Sequence, residues 1–304
     1  MTRWLEVALE VDGEMAEVVA EALAPLAHQG VAIESTAIAV DAYDDGGAIG
    51  PLRVRAFVSI AADHEATRMD VEKALWPLQM IARESGLNLP EPRFTEVDDA
   101  DWANAWREHF QPLRVGKRLM VVPAWLHPPL AEDDIELRVE PGQAFGTGTH
   151  PTTQLCMAAL EDYLQPGDRV LDVGCGSGIL SIAAIKLGAA RAWGYDIDLA
   201  AVAASAENAR DNGVAAQFAV GQGSAAEGKA NAPYDVVVAN ILSRVILDLL
   251  PQGLADLPKP GGLLILSGIL AEQAAEVEAA VVEYGYTLLA RPIQGDWVAI
   301  VARR

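Results

Sequence analysis

The chain has 304 residues, 51% of them hydrophobic, enough to bury a sizeable core and, at roughly 100 to 200 residues per domain, to form two domains. Its 22 basic residues face 43 acidic ones for a net charge of −21, which opposes binding to a polyanion because neutralising phosphates takes clustered Lys and Arg. A disordered tail protein and direct nucleic-acid binding are therefore not expected, and the acidity serves either solubility or the attraction of a basic partner.

In chain order, MTRWLEVALEVDGEM places acidic residues where a signal peptide would be apolar. Trp4, Glu6, Ala8 and Glu10 alternate with Leu5, Val7, Leu9 and Val11, the period of a half-buried strand. A helix is predicted from about Glu14 to His28, closed by Gly30. VAIESTAIAV and LRVRAFVSI, separated by the acidic, Gly-rich DDGGAIGP, read as two strands. A helix over 64–85 and a strand over 93–97 complete β-α-β-β-α-β, the order of a small α+β ferredoxin-like domain spanning 1–97. Residues 98–112 read as a linker helix. It carries Trp102 and Trp106 at i, i+4, a pair better suited to sealing a domain contact than to holding a ligand.

The remaining domain, 113–304, alternates strands at 169–173, 192–195, 217–220, 235–239 and 263–266 with helices ending near Leu187, Asn212, Leu257 and Tyr284. Such alternation implies an α/β fold, a parallel sheet covered on both faces. Two strands near Tyr286 and Val298, joined across RPIQGD, close the chain as its one expected hairpin. No stretch reaches the ~18 apolar residues of a membrane span. Even YDVVVANILSRVILDLL is broken by Asn240, Arg244 and Asp248. Cys156 and Cys175 form neither a disulfide framework nor a zinc spacing, so the expectation is a reducing cytoplasm and no metal.

In a doubly wound sheet the ligand lies outside the carboxyl ends of the strands, at the switch point. The first turn there is LDVGCGSGIL. Gly174, Gly176 and Gly178 let the main chain approach a ligand without Cβ obstruction. Their GxGxG spacing departs from the dinucleotide fingerprint GxGxxG, which favours a ligand without a diphosphate. Asp196 ends the next strand in WGYDID, where a carboxylate accepts hydrogen bonds from ribose hydroxyls, while Asp198 is expected to cap the following helix. Together they point to an adenosine-containing ligand. Asn240 emerges from YDVVVAN at the same crevice, able to donate and accept, or else to cap the helix beginning near Ser243. EPGQAFGTGTHPTTQLC reads as a mobile loop able to close over a ligand. Within it, His150 is either a loop-structuring histidine or a base without a partner nucleophile, and Thr153 is equally suited to an N-cap or a ligand contact.

AFGTGTHPTT, DVGCGSGILSIAAIKLGA, GYDID and VVANIL, in this order, resemble the PrmA family, bacterial methyltransferases that modify ribosomal large-subunit protein eleven. The likeness runs from about Trp102 to Arg304; before that only the element order is similar. It implies a seven-stranded, doubly wound, Rossmann-like class I methyltransferase domain that uses S-adenosylmethionine, with the ferredoxin-like domain gripping the substrate. It places cofactor contacts on Thr153, Gly174, Asp196 and Asn240, beside Gly176 of the same turn. Phe145, Gly146 and Thr147 fall on the loop over the methyl-transfer site. The acceptors implied are lysine side chains and the N-terminal amine of a basic ribosomal protein.

Such chemistry needs a neutral amine in line with an activated methyl group and no covalent nucleophile. Holding a lysine of pKa about 10.4 neutral at pH 7 costs about 4.6 kcal/mol, against about 1 kcal/mol for an α-amine. Asn240 and the loop from Phe145 to His150 are expected to orient that amine. The alternatives are a lysine methyltransferase acting on another protein, such as an electron-transfer flavoprotein subunit, an adenosine-ligand binding module without turnover, and an NAD-dependent dehydrogenase, which lacks support from the glycine spacing.

Overall fold

A computed structural model of the chain describes residues 3–11, 13–35, 52–60, 63–84, 89–98, 111–139 and 148–304. The chain divides into two compact units, Met1–Gln111 and Pro112–Arg304.

The first unit runs β1 (Arg3–Val11), α1 (Gly13–Leu23), β2 (Ala27–Ser35), β3 (Leu52–Ser59), α2 (His64–Glu84) and β4 (Arg93–Asp98). Its antiparallel sheet has the order β2-β3-β1-β4. The alternation read in β1 sorts its side chains: Val7, Leu9 and Val11 join Ala16, Val19 and Leu23 of α1 and Val71 and Leu75 of α2 in one core. Glu6 and Glu10, of the other parity, pair with Arg55 and Arg53 across β3. Helix α1 stops at Leu23, five residues short of the predicted end. Pro25 has no N–H to continue the helical ladder, and Ala27 already pairs with Val58. Of the linker helix expected over 98–112, residue 98 ends β4, and 99–110, with both tryptophans, lie outside the described residues.

The second unit opens with a small sheet that the sequence did not reveal: β5 (Leu113–Val115), β6 (Leu119–Pro123) and β7 (Ile135–Val139), in that order. There follow α3 (Pro151–Tyr163), β8 (Arg169–Val173), α4 (Ile179–Lys186), β9 (Arg191–Asp196), α5 (Leu199–Asp211) and β10 (Phe218–Gln222). Then come α6 (Ala225–Gly228), β11 (Tyr234–Asn240), α7 (Ser243–Leu249), β12 (Pro258–Leu270), α8 (Ala274–Glu283), β13 (Thr287–Ala290), β14 (Ile293–Gln294) and β15 (Trp297–Arg303). The main sheet is ordered β10-β9-β8-β11-β12-β15-β13, with β14 added beside β15. Seven strands form the continuous path, and two-residue β14 makes an eighth where the sequence predicts seven.

From β10 to β12 the strands are parallel; β15 is antiparallel to β12. Each face carries its own core, which is why these strands read as unbroken apolar runs rather than alternating ones. Val170, Val236, Val238 and Ile265 pack with α3 and α4 residues on one side, and Leu171, Val173, Val237 and Leu264 with Ile246 and Val277 on the other. Strand β8 has β9 on one side and β11 on the other, so the crevice at their carboxyl ends is the switch point of the sheet.

Candidate active site

The turn leaving β8 is built for close approach. Gly174, Gly176 and Gly178 have φ of 73°, 54° and 78°, the left-handed region that a Cβ disfavours. A Cβ on Gly174 would stand 2.4 Å from Ile241 Cγ2, and one on Gly178 would stand 2.8 Å from Ser205 Oγ and 2.9 Å from Phe218 Cε1. The turn is fixed from two neighbours. Gly174 and Cys175 N–H both donate to the Tyr195 carbonyl, Ser205 Oγ donates to the Gly176 carbonyl at 2.8 Å, and Asn208 Nδ2 donates to the Ser177 carbonyl at 2.9 Å.

Asp196 ends β9 beside that turn, half-buried. Gly176 N–H donates to its Oδ2 at 2.9 Å and Asp198 N–H to its Oδ1 at 3.0 Å. An ionised carboxylate has about four acceptor sites, so both oxygens keep capacity for a ligand hydroxyl. Asp198 caps α5, accepting from Ala200 N–H at 2.9 Å, as the sequence predicts. Between and beyond the two acids, Ile197 and Leu199 are 78% and 63% exposed. Sequence reasoning passed over them. The signal was two large apolar residues interleaved with acids just past a strand end, where a covered side chain has no core to enter.

Asn240 stands at the end of β11, opposite Ser267 of β12. Its Nδ2 donates to Thr153 Oγ1 at 3.2 Å. It does not cap α7, whose N-cap is Leu242. Nor is Thr153 the cap of α3. That position belongs to His150, whose Nδ1 meets the Thr152 hydroxyl at 2.7 Å and the Thr152 N–H at 3.4 Å. Thr153 is 1% exposed, with its hydroxyl turned to Asn240.

Of the two readings of His150, the loop-structuring one agrees with its place as the cap of α3, whereas its expected part in a mobile loop orienting the amine does not fit a buried ring. His150 is 5% exposed and lies edge-to-face on Trp297 with ring centroids 5.0 Å apart, and burial holds its pKa down at about 4. A neutral imidazole committed to a helix cap is a structural group. Phe145, Gly146 and Thr147 lie outside the described residues.

A further acid went unnoticed in the sequence. Asp172 sits one residue inside the apolar end of β8 and is fully buried. Ser181 donates to its Oδ2 through its hydroxyl at 2.9 Å and its N–H at 3.2 Å, while Oδ1 has no hydrogen-bond partner. Burial, against the lowering by these two Ser181 hydrogen bonds and with the nearby Asp196 charge, pushes its pKa up to about 7. The sign was present in LDVGCG, an acid interrupting a strand otherwise apolar on both faces. Cys156 and Cys175 are also buried, and burial raises both thiols far above their ordinary range, so neither is a nucleophile.

Two pairings that the sequence placed far apart are thus brought together at the carboxyl ends of β8, β9 and β11: Gly176 with Asp196, and Thr153 with Asn240. Among the described residues no three His, Cys, Asp or Glu side chains gather as a metal site, and no helix is long and apolar enough to cross a membrane.

The family model for ribosomal protein L11 methyltransferase (PrmA) matches residues 3–304. The chain belongs to the PrmA family. A ribosomal protein L11 methyltransferase of Chloroflexus aurantiacus is 40% identical over 332 aligned positions, covering all of this chain and 98% of that one. One from Listeria monocytogenes serotype 4b is 39% identical over 310 positions, covering 99% of this chain and 98% of its own. Among solved structures, a ribosomal protein L11 methylase from Lactobacillus delbrueckii subsp. bulgaricus is similar with 35% identity and a TM-score of 0.60, covering 64% of this chain and 99% of that one. This PrmA-family chain is therefore an α/β methyltransferase with a mostly parallel central sheet, and its first unit is as much part of the family match as its second.

Proposed function

We propose that this enzyme transfers methyl groups from S-adenosylmethionine to lysine side-chain amines and the N-terminal amine of ribosomal protein L11, in the cytoplasm. On this reading unit two is a seven-stranded class I methyltransferase domain. Unit one is a ferredoxin-like domain that holds the substrate, joined through a linker over 98–112; its strand order β2-β3-β1-β4 supports that assignment. The observation that carries the proposal is the set of groups at one crevice: a glycine turn whose Gly174 has no room for a Cβ, the Asp196 carboxylate hydrogen-bonded to that turn, and Asn240 joined to Thr153.

The residues fit the cofactor. Asp196 would accept from ribose hydroxyls, each charge-assisted bond contributing about 1.5–3 kcal/mol, and the exposed Ile197 beside it would give the adenine ring an apolar face. Gly174 and Gly176 would let backbone approach the amino-acid end of the cofactor, and the Thr153 hydroxyl would hold that end from α3. When bound, the cofactor supplies a methyl group already activated on a sulfonium. What is left to the protein is alignment of an amine that has already given its proton to solvent, and a site that favours that neutral form. Asn240 would accept a hydrogen bond from the neutral amine through Oδ1, because its Nδ2 is given to Thr153. Residues 145–147 would exclude water, lowering the cost of a neutral lysine by desolvating its ammonium form.

Incubating the enzyme with purified L11 and S-adenosylmethionine, then weighing the product by mass spectrometry, tests the proposal. Mass gains in steps of one methyl group on L11 are expected. Asn240→Ala should lower kcat at least tenfold, while Asn240→Ala with unchanged turnover and unchanged cofactor affinity would remove that residue from the reaction.

A further inference from the structure

The chain's last hairpin has no part in the chemistry above, yet two of its side chains reach the first turn of α3. Strands β14 and β15 pair through Ile293 with Val298 and Gln294 with Trp297. Gln294 Nε2 donates to Gln154 Oε1 at 3.0 Å, and Gln154 Nε2 donates in turn to the Thr149 carbonyl at 2.7 Å. Trp297 meets the His150 ring edge-to-face and is buried with Leu155, Leu270 and Ala299. Residues 149, 150, 154 and 155 are therefore held from the hairpin side. Thr153, inside that interval, faces Asn240.

The first turn of a helix is its weakest part, because its N–H groups lack intrahelical acceptors and only a cap restrains them. A side chain that must meet a ligand from such a turn loses affinity if the turn frays, since binding must then order it. A parallel strand at this place would bring the residues that follow it to the crevice. The antiparallel β15 brings its preceding residues there. We infer that Gln294 and Trp297 are positioning residues, a strut that fixes the first turn of α3 so that Thr153 is presented to the cofactor beside Asn240. The inference rests on the cofactor reading of Thr153 and Asn240, and it assigns the terminal hairpin a role in cofactor affinity.

Titrating S-adenosylhomocysteine into the full-length protein and its Gln294→Ala, Gln154→Ala and doubly substituted variants tests this, alongside KM for S-adenosylmethionine and kcat on L11. Gln294 is part-exposed on a two-residue strand, so its variant is expected to fold with an unchanged melting temperature. Gln294→Ala should weaken binding about fivefold, the loss of one ordinary hydrogen bond, and raise KM in proportion while kcat stays put. The double variant should bind no more weakly than Gln154→Ala alone, because both changes remove one strut. Trp297→Phe, which keeps an aromatic edge against His150, should retain affinity. Wild-type affinity and KM in Gln294→Ala, or a fall in kcat that follows a fall in melting temperature, would overturn the hairpin's role. Absence of binding by the unsubstituted protein would instead overturn the cofactor reading beneath it.

Discussion

At the amino-terminal ends of β8, β9 and β11, polar groups are matched within the protein. Arg169 donates to the Pro233 and Asn231 carbonyls at 2.9 and 2.6 Å, its guanidinium lies 5.0 Å from the Trp193 ring, and Asp235 pairs with Lys259. At the carboxyl ends of the same strands the picture reverses. Three successive glycines take positive φ, Asp172 keeps an oxygen without a partner, and Ile197 and Leu199 stand in solvent. One sheet thus has a finished end and an unfinished one. Buried polar groups ordinarily find partners, and the ligand site proposed above lies at the unfinished end.

The sharpest way to break this contrast is to make similar changes at both ends. Gly174→Val puts a branched side chain at φ 73° against Ile241, and should lower S-adenosylhomocysteine affinity at least about 100-fold. Gly167, in the turn entering β8 at the finished end, also has positive φ, 91°, but nothing lies within 4 Å of its Cβ position. Gly167→Ala should therefore cost about 1 kcal/mol of stability in denaturant titration and leave ligand affinity as it was. Equal losses of affinity from both would mean that the two ends are not functionally distinct.

A second test uses two buried groups with opposite linkage. The raised pKa of Asp172 means that the fold prefers its proton: its contribution to stability is complete below the unfolded carboxylate pKa near 3.8 and is lost as pH rises through about 7. The depressed pKa of His150 means that the fold refuses a proton: its contribution is complete above about 6.5 and is lost as pH falls toward about 4. Between pH 5.5 and 6.5 the two slopes oppose each other, and their combined contribution should be flat. Substitution separates them. Relative to wild type, Asp172→Asn should gain about 2 kcal/mol between pH 5.5 and 8, and His150→Asn about 2 kcal/mol as pH falls from 6.5 to 5. Parallel pH curves for variant and parent would show that the substituted group does not titrate as its burial requires.

The unfinished end was also the legible one. A turn that needs positive φ writes itself in glycine, and a strand that delivers a polar group to a crevice ends on it, as at Asp196 and Asn240. Those signals are local. The loop-structuring reading of His150 was open to the sequence, but its cap role depends on Thr152, and its burial on Trp297 from the far end of the chain. Asp172 could be noticed in the sequence as an acid inside an apolar strand, but that one of its oxygens has no partner shows only when neighbours close around it. The β5-β6-β7 sheet was invisible because three- and five-residue strands, one of them paired in parallel across eleven intervening residues, give too short a run for any period to show. Helix α1 was overextended for the opposite reason: apolar periodicity continued past Pro25, and the ladder could not.

The smallest expected effect concerns the two units. Residues 1–111 hold 21 acidic and 8 basic side chains, −13, against −8 for residues 112–304. Such a field attracts a basic protein over distances screened beyond about 8 Å at physiological salt. Raising ionic strength from 50 to 300 mM should therefore lower kcat/KM for L11 several-fold, on the order of the steering effects seen at charged interfaces, and leave KM for S-adenosylmethionine nearly unchanged. A salt-independent kcat/KM would assign the acidity to solubility.

The central claim is that the carboxyl ends of β8, β9 and β11 hold an adenosyl ligand whose sugar is gripped by Asp196. Calorimetric titration of S-adenosylhomocysteine into the native protein and into Asp196→Ala addresses it most directly. The account requires one site per chain in the native protein and affinity lower by roughly 10- to 100-fold in the variant, the loss of one or two charge-assisted hydrogen bonds. Equal affinity in the two proteins, or no heat in either, would contradict it.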